Sequence, residues 1–200
     1  MKKIPLLILI LSVIAISCKN DKKDPKINKP VYESAPNFSA DSAFKFVNEQ
    51  VQFGPRVPNT KAHDACAKYL TNKLKDYCDT VYNQPFIGVT YDGKKLKSQN
   101  IIGSFGIHKS KRILLAAHWD SRPIADHDPD TTKRNQHIDG ANDGASGVGI
   151  LLEIARQLSI KNPEYGVDII FFDAEDWGTP SGVQAEGDWW CLGSQYWSRT

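Results

Sequence analysis

The sequence predicts an α/β fold, a three-layer αβα arrangement around a mostly parallel central sheet. Three observations carry it. Residues 113–117 and 167–172 are short continuous apolar runs, the pattern of strands covered on both faces. Between them, residues 148–158 place Ile150, Leu151, Ile154, Ala155 and Leu158 at helical spacing, so strand, crossover helix and strand follow in order. Polar clusters rich in His and carboxylates sit just past the ends of these elements, where open α/β sheets hold their ligands.

The elements follow in chain order. Lys2 and Lys3 precede the apolar residues 5–16, a run too short for a spanning helix, which takes about 20 residues. A basic start, a short apolar stretch and a small-residue end make residues 1–17 a secretory signal. The stretch closes Ala15-Ile16-Ser17-Cys18, which resembles the lipobox of bacterial lipoproteins. That resemblance implies lipidation at Cys18 and an exported bacterial lipoprotein, membrane-anchored, facing the periplasm or the cell surface. Residues 18–37 are rich in Lys, Asp and Pro without apolar periodicity, a flexible tether. The folded domain is expected over 38–200. Ser39 and Asp41 offer caps for a helix striped by Phe44, Val47 and Val51 and stopped at Gly54-Pro55. A second helix is expected over 60–77, with Cys66, Tyr69, Leu70 and Leu74 on its apolar face. Strands over 80–89 and 99–105 flank the turn Asp92-Gly93. Past the central strand, helix and strand, a last helix begins near Trp189, and the chain stops at Thr200 without a terminating signal. The sequence therefore reads as the front part of a longer protein, with the carboxyl-terminal part missing.

Composition excludes several classes. Two hundred residues suit one domain. Lys plus Arg is 25 against 23 Asp plus Glu, so the basic stripe of a nucleic-acid binder is absent. Four Cys exclude a disulfide-dense scaffold. Cys66 and Cys78, on or near one helix, are separated by roughly 18 Å of helical rise, beyond disulfide reach unless the helix ends before Cys78. No Gly-x-Ser-x-Gly nucleophile elbow is present.

The chemistry lies in three clusters: His118-Trp119-Asp120, Asp139-Gly140-Ala141-Asn142-Asp143-Gly144 and Asp173-Ala174-Glu175-Asp176. Two follow strands and the second opens the crossover helix on the same edge, so His118, Asp120, Asp143, Glu175 and Asp176 converge on one crevice. Imidazole and carboxylates together suit a zinc site with a position open for substrate. A neighbouring Glu outside the ligand set suits a general base or acid. Plainer readings exist for each. Asp143 could cap the helix, Glu175-Asp176 could be a solvated loop, and His118 could be a satisfied His beside Asp120. Asp126-His127-Asp128-Pro129-Asp130 could take a cation, although an exposed loop is the stronger reading.

Four ordered blocks carry a resemblance. Phe53-Gly54-Pro55-Arg56-Val57-Pro58, Ala117-His118-Trp119-Asp120-Ser121-Arg122-Pro123, Gly140-Ala141-Asn142-Asp143-Gly144-Ala145-Ser146-Gly147-Val148 and Phe172-Asp173-Ala174-Glu175-Asp176-Trp177-Gly178 resemble the zinc aminopeptidase and glutaminyl cyclase superfamily. The Trp after His118 and the block Cys191-Leu192-Gly193-Ser194-Gln195-Tyr196-Trp197 resemble the bacterial glutaminyl-peptide cyclotransferases within it. The resemblance implies a zinc-exopeptidase-like fold. It implies metal-binding by Asp143 and Asp176, catalysis by Glu175, and His118 at the second-metal position of the aminopeptidases. A further zinc-binding His is implied beyond Thr200. The implied activity is cyclisation of N-terminal glutamine to pyroglutamate with release of ammonia, acting on a peptide or protein. One zinc ion (Zn2+) is implied, or two for an aminopeptidase. Trp119 and Trp177 are then candidates for the substrate pocket wall, with Trp189 and Trp190. A zinc aminopeptidase, or a non-catalytic peptide- or metal-binding lipoprotein, are the alternatives.

Overall fold

A computed structural model describes residues 37–200. The signal, Cys18 and all but the last residue of the tether lie outside the described residues. Helix α1 (Ala40–Val51) starts where Ser39 Oγ accepts from the Ser42 amide. Helix α2 (Lys61–Lys75) starts in the same way, with Thr60 Oγ1 accepting from the His63 amide. Strands β1 (Thr80–Val89) and β2 (Lys95–Phe105) form an antiparallel hairpin. β3 (Arg112–His118), α3 (Ser146–Ile160) and β4 (Gly166–Phe172) form the expected crossover unit, and α4 (Leu192–Ser198) follows.

The sheet order is β1-β2-β4-β3. Only β3 and β4 pair in parallel, while β1–β2 and β2–β4 are antiparallel. The α/β class therefore holds, but the sheet is mixed rather than mostly parallel among the described residues. The reason is local: a short turn after β1 can only return the chain antiparallel, whereas the helical crossover lets β4 run alongside β3.

Alternation along the strands builds the layers. Val167, Ile169 and Phe171 of β4 face α1–α3, in a core with Phe46, Leu70, Leu74, Ile101, Phe105 and Leu152. Ile170 and Phe172 point the other way, packing with Ile102 and with Trp197 of α4. Two expectations shift. Phe44 is 73% exposed, and α1 buries Ala43, Phe46 and Gln50 instead. β3 is an outer strand of this sheet, so Ile113 and Leu114 are nearly half exposed instead of buried. Cys66, Cys78 and Cys191 are free thiols. Burial pushes Cys66 and Cys78 up to about 12, which keeps them protonated and inert. Among the described residues no helix is long and apolar enough to cross a membrane.

Candidate active site

The carboxyl ends of β3 and β4 are tied together by one buried carboxylate. The Trp119 amide extends the ladder by donating to the Phe172 carbonyl. Asp120 then accepts from the amides of Glu175 (3.1 Å) and Asp176 (3.2 Å), one on each oxygen. Its Oδ1 also lies 3.4 Å from His118 Nδ1, and His118 Nε2 lies 2.9 Å from Asp143 Oδ1. The left-handed backbone of Ala174 (φ 56°) turns the chain sharply between Asp173 and Glu175.

Asp143 sits in a kinked turn, Ala141–Ala145, ahead of α3. No side chain caps α3, so Asp143 is not spent as a helix cap. Gly140 and Gly144 have φ of 58° and 99°. A Cβ at Gly140 would lie 2.7 Å from Arg56 Nη2, and one at Gly144 would lie 2.5 Å from the Asp120 carbonyl, so both positions exclude a side chain. Arg56 is fully buried beneath this turn. Its guanidinium donates to the carbonyls of Trp119 (3.0 Å), Asp139 (2.6 Å) and Gly140 (2.7 Å). One side chain thus joins the His118 segment to the Asp143 segment.

A second buried pair lies behind the Glu175 segment. His63 Nε2 is 2.9 Å from both oxygens of Asp173, which also accept from the Gln99 and Ala174 amides. Burial pushes the Asp173 carboxyl up against the opposing pull of His63. His63 is lowered by burial but raised by more through Asp173, so its value ends above the usual one. Trp119 stacks on the His63 ring at 4.3 Å and is fully buried.

Glu175 is held from α4. The Ser194 amide donates to Oε1 (2.7 Å) and the Ser194 hydroxyl to Oε2 (2.8 Å). Burial raises the Glu175 carboxyl above its usual value, and the Ser194 hydrogen bonds pull it part of the way back. Asp176 accepts from Arg122 Nη1 at 3.2 Å. Burial and the nearby Asp143 and Asp120 hold Asp176 up at about 6 despite that cation. For His118, burial acts downward, but Asp120 and Asp143 overcome it and raise it to about 9.

Asp120 links the predicted residues: it meets His118, which meets Asp143, and it holds the amides of Glu175 and Asp176. The donor types suit a cation, an imidazole paired with the Asp143 carboxylate and Asp176 nearby, with Arg122 as the counter-charge to Asp176. The set is not closed, because among the described residues no three His, Cys, Asp or Glu side chains gather as a metal cage. His118 and Asp143 touch, while Asp176 is turned to Arg122. Trp119 is no pocket wall; it is floor, sealed under His63. Trp177 does line a cavity of about 260 Å3, with Val57, Arg122, Ile124 and Pro180. Trp190 is exposed, with the Arg122 guanidinium 4.9 Å over its ring. Asp126 is not a free loop acid, since Arg122 grips both its oxygens at 2.7 Å.

Sequence reasoning assigned no role to Arg56, His63, Arg122 or Ser194. Arg56, Arg122 and Ser194 stand inside recognised blocks, which is their only signal. His63 pairs with a residue 110 positions away and gave none.

A three-layer α/β domain with imidazole and carboxylates gathered beyond its parallel strand ends defines the zinc-exopeptidase-like class. The chain belongs to peptidase family M28, whose model matches residues 100–200. Among solved structures it is similar to a Zn-dependent exopeptidase from Parabacteroides distasonis (58% identity, TM-score 0.81, 84% of this chain and 57% of that one). It is also similar to Tannerella forsythia glutaminyl cyclase (57%, TM-score 0.80, 82% and 56%). A leucine aminopeptidase precursor from Bacteroides thetaiotaomicron matches at 54% identity (TM-score 0.82, 84% and 59%). The matched segments span 46% of the length of one curated relative and 20–36% of the others.

Proposed function

We propose that the protein cyclises the N-terminal glutamine of peptides and proteins to pyroglutamate, releasing ammonia, in a zinc-dependent reaction. The observation that carries this reading is Glu175, a half-buried carboxylate gripped by Ser194, its amide held by the Asp120 that also meets His118, in a chain 57% identical to a glutaminyl cyclase over the matched part. Asp143 and Asp176 would hold zinc, one ion for a cyclase, with His118 at the position of a second ion; when bound, zinc supplies a Lewis acid for the substrate γ-carboxamide.

The chain's own residues supply the proton chemistry. Glu175 accepts a proton from the substrate α-amine as that amine bonds to the γ-carboxamide carbon. It returns the proton to the departing nitrogen, which leaves as ammonia, so the carboxylate is regenerated. Burial favours this role, because a carboxyl raised above its usual value is a better proton acceptor. Asp120 holds the Glu175 and Asp176 amides and keeps the turn that presents both.

A zinc aminopeptidase is the second reading, favoured by the likeness to the leucine aminopeptidase precursor. There Glu175 would activate water in place of the amine, and two ions are expected. The lipobox-like end of the leader supports a lipid anchor at Cys18, placing the enzyme on a membrane facing the periplasm or the cell surface.

The test uses the full protein isolated from its native membrane, incubated with zinc and a peptide beginning with Gln, then mass spectrometry of the peptide. Loss of ammonia from an otherwise intact peptide is expected. Release of the first residue would establish the aminopeptidase instead, and no change in the peptide would leave a binding lipoprotein. Glu175→Gln is expected to lower turnover by about 100-fold or more while zinc stays bound; full activity in that variant would remove the assignment.

A further inference from the structure

We infer that Ser194 is the positioning residue for Glu175, fixing both carboxyl oxygens from the amino-terminal end of α4. The inference rests on the reading of Glu175 as proton carrier.

The geometry has three parts. First, the Ser194 amide, a donor with no other role available to it, pins Glu175 Oε1 at 2.7 Å. Second, the Ser194 hydroxyl has one proton and two acceptors in reach: Glu175 Oε2 at 2.8 Å and the Cys191 carbonyl at 3.1 Å. Ser194 thus reaches both oxygens of one carboxyl from a single residue, its amide to Oε1 and its hydroxyl to Oε2, which fixes the orientation of the Glu175 carboxyl.

Third, Ser194 is itself held rigidly. The Cys191 amide donates to the Glu175 carbonyl (2.9 Å), and the Leu192 amide donates to the Ala174 carbonyl (3.1 Å). Asn100 bridges the two segments, donating to the Gly193 carbonyl (2.9 Å) and accepting from the Asp173 amide (3.1 Å). A Cβ at Gly193 would collide with the Asp173 carbonyl and with Asn100 Oδ1, so only glycine lets the segments close this far. Ser194 is therefore carried on a frame that ties the start of α4 to the Glu175 segment.

The experiment compares kcat and KM of the full, zinc-loaded protein on a Gln-initiated peptide, for wild type, Ser194→Ala and Ser194→Thr, with zinc content measured on each. Ser194→Ala is expected to lower kcat by about 10- to 100-fold with KM within about twofold and zinc unchanged, because the lost interaction belongs to the proton transfer. Ser194→Thr keeps the hydroxyl and is expected to recover kcat to within about fivefold of wild type. A kcat within twofold of wild type in Ser194→Ala, a loss confined to KM, or no recovery in a folded, zinc-bound Ser194→Thr would overturn the inference. A turnover-free readout is amide hydrogen exchange at Ser194, expected to quicken about tenfold or more in Glu175→Ala; unchanged exchange also overturns it. Wild type that makes no pyroglutamate would sink the cyclase reading on its own, and the exchange result would then decide the clamp.

Discussion

Two interiors of this domain are equally dry and built on opposite principles. Between α1–α3 and the sheet, Leu70, Leu74, Ile101, Leu152, Ile169 and Phe171 are completely buried, and apolar area removed from water does the work. Under the strand ends, Arg56, Asn100, Asp120 and Asp173 are also completely buried, and hydrogen bonds do the work. Apolar burial is non-directional, so a core side chain can be trimmed and its neighbours settle partway. A buried polar group has no such latitude: losing one partner leaves the other to bear its full desolvation cost. The polar interior is therefore the more brittle, and its brittleness is what fixes His118, Asp143 and Glu175 relative to one another.

Arg56→Met is the sharpest way to break that contrast. It removes the donor to three buried carbonyls on two segments and is expected to cost about 3–5 kcal/mol, read as a lower urea midpoint. A cost below about 1 kcal/mol would mean that the Asp139–Gly140 turn does not depend on the guanidinium. Leu152→Ala, in the apolar interior, is expected to cost about 3 kcal/mol. Yet it should leave Ser194 amide exchange as slow as in wild type under native conditions, because the Glu175 frame does not use Leu152. A comparable loss of protection would show the two interiors to be one cooperative unit.

Asp126→Asn probes the rim of the polar region at smaller cost. The Arg122 fork holds the Asp126 carboxyl well below the usual carboxylate range, with burial opposing. A depressed folded value means stability that is fully present above the unfolded value of about 4 and lost as pH falls toward the folded one. Wild type should therefore exceed Asp126→Asn by about 1–3 kcal/mol at pH 7, with the gap narrowing below about pH 4. Urea midpoints at pH 7 and pH 3 measure it, and a gap independent of pH would assign the loss to packing.

The contrast also explains what could be read from the chain. Periodicity reports apolar burial, so β1 is found over the expected residues and β4 begins one residue early, at Gly166. β2 begins at Lys95, four residues before the expected start, because Leu96 between Lys95 and Lys97 shows one apolar residue on a solvated edge. The three polar clusters are legible because strand ends are predictable places for ligands. Their support was not. His63 and Asp173 meet across 110 positions, and Arg56 bonds only to carbonyls, which carry no side-chain signature. Trp119 looked like a pocket aromatic from its neighbours in sequence, yet alternation past β3 sends it inward, onto His63.

The smallest expected effect tests periodicity itself. On α1, Phe44 and Phe46 are chemically identical and two positions apart, which on a helix places them on different faces. A stripe through Phe44, Val47 and Val51 satisfies helical spacing, but so does one through Ala43, Phe46 and Gln50, and the second is the buried one. Gln50 decides the phase: its amide donates to the Ala145 carbonyl at 3.1 Å, at the mouth of the turn that carries Asp143, so a polar residue belongs to the inward face. Phe44→Ala is accordingly expected to change stability by less than about 0.5 kcal/mol, whereas Phe46→Ala is expected to cost about 3–5 kcal/mol. Equal costs from the two variants, measured by urea unfolding, would mean that the exposed ring of Phe44 is covered in the folded protein and that α1 presents two apolar faces, not one.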